Sequence, residues 1–267
     1  MMCIIKLENV SYKYAGSSDN CLDNVSFKIC EGETTGLMGP NGSGKTTLLK
    51  IISGLLGGFS GNVEIYGKPI QKYSNIELAK IISYIPQADN YIFDFTVEEI
   101  IAMGRRPYLD TFGILEKKDR EVIANVVNLL SLDKIIKRKY LSLSGGERRL
   151  VLIARALAQE TSVLLMDEPT TYLDLNYKII FMNKLRELNK MGKTIFLISH
   201  DINLVAEYLN RIILLKEGRV ICDGLTKNVL NEKNLSEIFN IKDFMIDFNK
   251  ITGNPNLFFV PSKKAEV

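Results

Sequence analysis

The sequence predicts an α/β protein, a parallel-sheet core carrying an inserted helical subdomain, and three observations predict it. Short apolar runs at 163–166 and 195–198 have the length and composition of parallel strands buried on both faces. A glycine-rich segment joins a strand to a helix at 39–47. Between about 90 and 158 the strand signals give way to helical periodicity. Composition agrees with this class. The 267 residues are 46% hydrophobic and 24% charged, with a net charge of only +3. That excludes disorder, collagen and coiled-coil rods, and gives no basic footprint for nucleic acid.

No run reaches the roughly 18 apolar residues that cross a bilayer. The opening MMCIIKLENV lacks a basic n-region, a long apolar core and a cleavage site. The chain is therefore expected neither to span a membrane nor to be exported. Its four cysteines, Cys3, Cys21, Cys30 and Cys222, form no C-x-x-C pair. Their scatter fits neither a zinc knuckle nor a disulfide frame, and they read as reduced thiols. With a single histidine, the chain offers nothing to a metal or redox module.

Taken in order, 4–10 alternates as a strand, 15–20 (AGSSDN) is turn-rich, and 24–29 is a second strand closed by Glu31-Gly32-Glu33. A third strand at 34–38 runs into GPNGSGKTT and the helical pattern LLKIISGLL. Residues 81–85 make a further strand. Thr96 and Glu99 form a capping box at the head of a helix whose stripe is Val97, Ile100 and Ile101. A second helix covers 116–130, with Val122, Val126, Leu129 and Leu130 at helical spacing, and a third covers 147–159. Strands at 163–166 and 195–198 flank a helix at 178–190, the alternation of right-handed crossovers. A helix at 233–239 and a strand at 257–260 close the chain.

Gly39-Pro40-Asn41-Gly42-Ser43-Gly44-Lys45-Thr46 fits G-x-x-x-x-G-K-[ST], in the strand–loop–helix context that motif requires. Its backbone N–H groups would wrap nucleotide phosphates, with Lys45 on the β/γ-phosphates and the Thr46 hydroxyl on Mg²⁺. The helix that follows aims its positive end at the same anion. The strand VLLM ends in Asp167 and Glu168. Ligands in open α/β sheets sit beyond such carboxyl ends. Asp167 can hold Mg²⁺, and Glu168 can take a proton from water attacking the γ-phosphate. Leu143-Ser144-Gly145-Gly146-Glu147 reads two ways. Ser144 and Glu147 make a capping box, yet two glycines in a first turn weaken a helix by about 1 kcal/mol each, which makes sense where an anion must approach.

Together these segments resemble the ATP-binding subunit of an ATP-binding cassette (ABC) transporter, in order and spacing and over essentially the whole chain. GPNGSGKT resembles its Walker A loop, LSGGE its signature and VLLMDEP its Walker B. Gln87 matches the Q-loop, Leu173-Asp174 the D-loop, His200 the switch histidine, and Tyr14 the aromatic that stacks on adenine. By period-2 geometry Tyr12 shares a strand face with Tyr14, so the choice of Tyr14 rests on the resemblance.

The resemblance implies a P-loop NTPase core of the ABC type at 1–89 and 159–267, with the helical subdomain at about 90–158. ATP would be held by Tyr14, residues 39–47 (including Thr47) and Asp174 of one copy. Ser144, Gly145 and Gly146 of a second copy would cover it. Mg²⁺ would sit on Thr46, Gln87 and Asp167. Glu168, His200, Lys45 and Gln87 would carry catalysis. The resemblance further implies a homodimer, a separate membrane permease docked on the helical insert, and an extracytoplasmic substrate-binding protein. It places the chain on the cytoplasmic face of the membrane and gives no role to nucleic acid.

Glu147 departs from the glutamine that many transporters carry there, and is seen also in iron–sulfur-assembly and chromosome-maintenance ATPases. The latter need a long coiled coil between P-loop and signature, which the short spacing here excludes. Translation-factor relatives usually carry two cassettes; this sequence has one. Thr96-Val97 with Met103-Gly104-Arg105-Arg106-Pro107-Tyr108 resembles a segment of importers for iron–siderophore, haem and cobalamin. DEPTTYLDLNY and the tail NEKNLSEIF…NPNLFFVP resemble the same subgroup. Read from its residues alone, GRRPY is a helix end, with Gly104 as C′ residue, Pro107 as stop and the arginines on the helix dipole.

Overall fold

Two units share the chain in a computed structural model, which describes residues 2–87, 94–110, 112–171 and 173–260. One unit comprises Met1–Ile70 with Phe196–Val267, the other Gln71–Ile195. The position at which the helical insert is expected to begin, Tyr172 and Pro261 lie outside the described residues.

The chain opens with β1 (Cys3–Tyr12), β2 (Leu22–Cys30), β3 (Thr34–Met38), α1 (Lys45–Ile52), β4 (Ser60–Ile65) and β5 (Lys68–Pro69). It continues through α2 (Asn75–Ala79), β6 (Ile82–Ile85), α3 (Val97–Met103), α4 (Lys117–Leu129) and α5 (Gly145–Ala158). Then come β7 (Val163–Asp167), α6 (Leu175–Lys190), β8 (Thr194–Ile198), α7 (Ile202–Tyr208), β9 (Arg211–Lys216) and β10 (Arg219–Leu225). The last elements are α8 (Thr226–Val229), α9 (Glu232–Phe239), β11 (Phe244–Phe248) and β12 (Pro255–Phe259).

In the first unit β2, β1, β4 and β5 form an antiparallel sheet in that order. Its alternating pattern puts Ile5, Ile29 and Ile65 in register and under cover. By contrast β3 is buried at every position and pairs in parallel with β9, so both of its faces are covered and no alternation survives. Phe27 of the antiparallel sheet meets Phe196 with ring centroids 5.8 Å apart, each ring worth about 1.5–3 kcal/mol of burial. The hairpin β11–β12 lies against α7. Asn203 imitates a strand there, donating to Leu257 O at 3.2 Å and accepting from Leu257 N–H at 2.8 Å.

In the second unit β6 and β7 pair in parallel, with Ser83 opposite Leu164 and Ile85 opposite Met166. Three capping boxes start its main helices: Thr96 with Glu99 on α3, Glu116 with Asp119 on α4, and Ser144 with Glu147 on α5. Each satisfies otherwise orphaned backbone donors, at about 1 kcal/mol per cap. A further box, Ser74 with Glu77, starts the short α2, which carries the same S-x-x-E signature and was not expected from the sequence. Helix α6 begins at Leu175, ahead of the expected 178, because Asp174 caps it by accepting from Tyr177 N–H at 2.8 Å.

GRRPY differs from the helix end expected of it. Gly104 is right-handed, with φ −61°, so it is not a left-handed C′ residue. It is glycine because a Cβ there would stand 2.1 Å from Arg155 O, where the backbones of α3 and α5 approach closely. Nor does Arg105 sit on the C-terminal end of its own helix, α3; it crosses to the last carbonyl of α5. It is 1% exposed, with Nε on Asp119 Oδ1 at 2.8 Å and Nη1 on Ala158 O at 2.7 Å and Glu160 Oε2 at 2.8 Å. Its guanidinium also stacks 4.3 Å from the Tyr108 ring. One arginine thus ties the exit of α3 to the start of α4 and the end of α5. Pro107 is the second residue of a single 3₁₀ turn, Arg106–Tyr108.

Burial pushes the Asp119 carboxyl up, but the Arg105 guanidinium and the Glu116 backbone N–H outweigh it and hold the group below its ordinary value. A depressed folded value means stability that is complete above the unfolded value of 3.8 and lost as pH falls through the folded one. Asp119→Asn is expected to cost about 3 kcal/mol, since it removes the buried carboxylate on Arg105 Nε and leaves that cation only the part-exposed Glu160 as an ion-pair partner. The urea midpoint of the variant, compared with wild type at pH 7 and again below pH 3.8, checks this; the gap should narrow in acid.

Candidate active site

The first unit supplies a candidate phosphate cradle. Buried β3 delivers the chain into residues 39–44, where two glycines are dictated by space: a Cβ on Gly39 would stand 1.9 Å from Leu215 O, and one on Gly44 (φ +99°) 2.6 Å from Cys21 O. Gly44 is the N-cap of α1 and gives it no side-chain cap, and no acid occupies the first turn. The first N–H groups of this helix therefore face outward toward any anion. Ser43 is 2% exposed, and its Oγ has no hydrogen-bond partner among the described residues. A buried hydroxyl of that kind costs stability unless a ligand satisfies it, and a phosphate oxygen fits.

Lys45 Nζ donates to Gly39 O at 2.9 Å and Pro40 O at 2.8 Å, so the cation closes over the loop. Thr46 is half-buried, while Thr47 Oγ1 lies 3.1 Å from Tyr14 OH and 3.2 Å from Cys21 Sγ. Tyr14 is 42% exposed and stands edge-on to Tyr12 at 4.9 Å, beyond the end of β1. Of the two tyrosines it is Tyr14 whose hydroxyl reaches the loop's helix. His200 is exposed just past β8. It lines a cavity of about 410 Å³ with Asp201, Asn203 and the β12 residues Leu257 and Phe259.

The second unit supplies the carboxylates. Asp167 ends β7 at 1% exposure and accepts from Tyr84 OH at 3.4 Å. Glu168 has φ +48°, a left-handed conformation that costs a residue with a Cβ about 1 kcal/mol or more. Its Oε2 accepts from Gln87 Nε2 at 2.8 Å and Thr171 Oγ1 at 3.2 Å. Two residues expected to act together are thereby in contact. Behind them lies Arg149 of α5, 4% exposed. It donates to Pro86 O, Asp167 O (2.9 Å) and Pro169 O (2.9 Å). The sequence reading passed over Arg149; its signal was a charge at helical spacing with Ile153 and Ala156 on a buried stripe.

The Ser144 box is formed: Glu147 N–H donates to Ser144 Oγ at 3.3 Å and Ser144 N–H to Glu147 Oε2 at 2.8 Å. The Ser144 backbone N–H and hydroxyl hold the Glu147 carboxyl below the usual range, and Arg138 at 3.3 Å adds to this. A Cβ on Gly146 would meet Leu173 and Tyr177 only at 3.7 and 3.8 Å, ordinary contact distances. The chain's own packing thus gives no reason for glycine there.

The ABC transporter family model matches residues 22–171. The petrobactin import ATP-binding protein FpuC of Bacillus anthracis is 38% identical over 94% of this chain and 90% of its own. Among solved structures, an inward-facing ABC transporter assigned to the metal-chelate type superposes with TM-score 0.83 at 29% identity, covering 97% of this chain and 98% of that one. A dimeric ATP-binding cassette in a post-hydrolysis state with ADP and Pi gives 0.75 at 33% identity, over 83% and 98%. The chain belongs to the ABC transporter family. It has the ABC-type P-loop NTPase fold and is an ATPase.

Lys45→Ala removes the lysine that closes over the loop on Gly39 O and Pro40 O and would meet a bound phosphate. Calorimetry is expected to show ATP affinity lost or very weak in a variant that still melts cooperatively; unchanged affinity would remove the phosphate cradle from residues 39–47.

Proposed function

We propose that this chain is the ATPase subunit of an importer for a metal chelate, an iron–siderophore, haem or cobalamin, working through a separate permease. The observation that carries the cargo class is the likeness, over 97% of the chain, to a metal-chelate type transporter. FpuC, whose name gives petrobactin import, supports the same class. No helix of the described residues is long and apolar enough to cross a membrane, so the passage itself is assigned to the permease. The helical stretch at about 90–158 would carry its docking surface, which puts the chain on the cytoplasmic face of the membrane. An external binding protein would deliver the cargo.

ATP would be bound by residues 39–47, with Tyr14 against adenine and Lys45 on the β/γ-phosphates. Mg²⁺ fits the donor chemistry, because Thr46, Gln87 and Asp167 all offer hard oxygen ligands. No group of three or more His, Cys, Asp or Glu among the described residues could form a metal cage. That suits a cation held by one carboxylate and substrate phosphates. Once bound, Mg²⁺ would offset charge on the transferred phosphoryl group. Glu168 would accept the proton of the attacking water, oriented by Gln87 and Thr171. His200 would hold the γ-phosphate and that water.

Two copies would pair head to tail, Ser144, Gly145 and Gly146 of one covering the γ-phosphate on the other, with Asp174 beside them. Closure supplies the conformational work and hydrolysis reopens the pair.

His200→Ala is expected to bind ATP but turn over about a hundredfold or more slowly. Melting temperature measured alongside turnover separates this from a packing defect, which would lower stability and leave turnover per folded molecule intact.

Glu168→Gln keeps size and loses the base. Light scattering should find it dimeric with ATP and monomeric without, and adding Ser144→Arg should abolish the dimer while sparing ATP affinity. Full transport by Ser144→Arg alone would reduce LSGGE to a capping box.

The purified chain should show weak ATPase activity that rises in lipid with permease, receptor and chelate. Stimulation by a cytosolic scaffold and by no permease would favour iron–sulfur assembly instead.

A further inference from the structure

Outside the site, the fold brings two cysteines together. Cys3 and Cys30 are Cα partners across the antiparallel β1–β2 ladder. Residues opposed in such a ladder point to the same face. The hydrogen bonds tell which kind of pair this is. The Glu31 N–H donates to Met2 O at 2.9 Å, one step outward on each strand, and the Cys30 N–H is turned to Glu33 Oε2 at 2.8 Å. Bonds one step outward flank a non-hydrogen-bonded pair, in which Cα atoms stand about 4.5 Å apart and side chains are at their closest. That spacing falls inside the roughly 4.4–6.8 Å window of a disulfide.

A register shift follows between Cys3 and Ile5, so the pair sits next to a bulge where the backbone can adjust. Both residues are half-buried, within reach of small oxidants and reductants. Burial raises the Cys3 thiol above its ordinary value, and the nearby Cys30 adds to this. Among the described residues no third ligand joins them to make a metal site.

We propose that Cys3 and Cys30, opposed across β1 and β2, are a redox-active pair that closes to a reversible intramolecular disulfide under a peroxide oxidant. One thiolate attacks hydrogen peroxide; the O–O bond breaks, an S–OH bond forms, and hydroxide leaves and takes up a proton. The second thiolate then attacks that sulfur. The S–S bond forms, the S–O bond breaks, and the oxygen departs as water with the second thiol's proton. Two thiols lose two electrons, and the peroxide becomes two waters. Accessible disulfides of this kind are the ones that free thiols reopen. Cys21 and Cys222 have no such cysteine partner in register, and stay thiols.

The test uses the full chain, treated with hydrogen peroxide and digested without reductant. Free-thiol titration should fall from four to two and return to four with dithiothreitol. Mass mapping should find the fragments bearing Cys3 and Cys30 joined, two hydrogens lighter, in monomeric protein. Cys3→Ser and Cys30→Ser should each abolish that species, and because the mapping reads wild type, a misfolded variant would not blunt it. Linkage through Cys21 or Cys222, a link found only between two chains, or sulfinic acid at Cys3 or Cys30 without a cross-link would overturn the pairing.

Discussion

The guanidinium of Arg149 is the interaction on which the carboxylate-bearing end of the second unit depends. It is buried, and it spends its donors on the backbone carbonyls of residue 86, past the end of β6, and of residues 167 and 169, at and beyond the end of β7. Parallel strands leave such carbonyls unpaired where they stop, and a buried carbonyl without a donor is costly. By closing them, Arg149 lets both strands end together. Gln87, Asp167 and Glu168 leave from those ends, so their mutual geometry follows from a residue buried behind them. The left-handed turn at Glu168 is tolerable for the same reason: its neighbours on both sides are held.

A second constraint is that one serine serves two masters in α5. Ser144 gives and accepts the bonds of a capping box, and its Oγ also donates to Glu147 Oε2 at 2.9 Å. A hydroxyl so engaged presents little to a phosphate directly. The bare N–H groups of Gly145 and Gly146 are then the better anion donors, and Gly146 has room above it that the chain's own packing does not require. The negative charge of Glu147 is offset by Arg138 at 3.3 Å, which would ease the approach of a phosphate. A glutamine there would need no such partner, which gives a physical account of how this chain carries Glu.

The C-terminal hairpin adds a feature specific to the tail. Glu207 of α7 accepts from Asn249 Nδ2 at 2.7 Å, Thr252 Oγ1 at 3.0 Å and Asn254 Nδ2 at 3.1 Å. Burial raises its carboxyl, but these bonds prevail and hold it below the usual range. Together with Asn203 on Leu257 they fasten β11–β12 to the helix that begins just after His200. Tail and histidine are thus mechanically joined within one unit.

What the sequence determined by itself was whatever is written in consecutive or periodically spaced residues. The phosphate loop, the apolar strand ending in two acids, the helices of 96–158 and two of their caps, Thr96 and Ser144, all rest on contacts within a few residues, and all are where the spacing puts them. Elements that lacked a strong period were missed: the hairpin β4–β5, the short α2 and α7, the pair β9–β10 and the strand β11. Tertiary structure alone decided the rest. Gln87 meets Glu168 across 81 residues, and Arg105 meets Glu160 across 55. No local pattern encodes such partners, because their proximity is a property of which strands and helices pack together. Gly104 makes the point most simply: in the chain it looks like a helix stop, and only the carbonyl of Arg155 standing over it shows that it is there to let two helices touch.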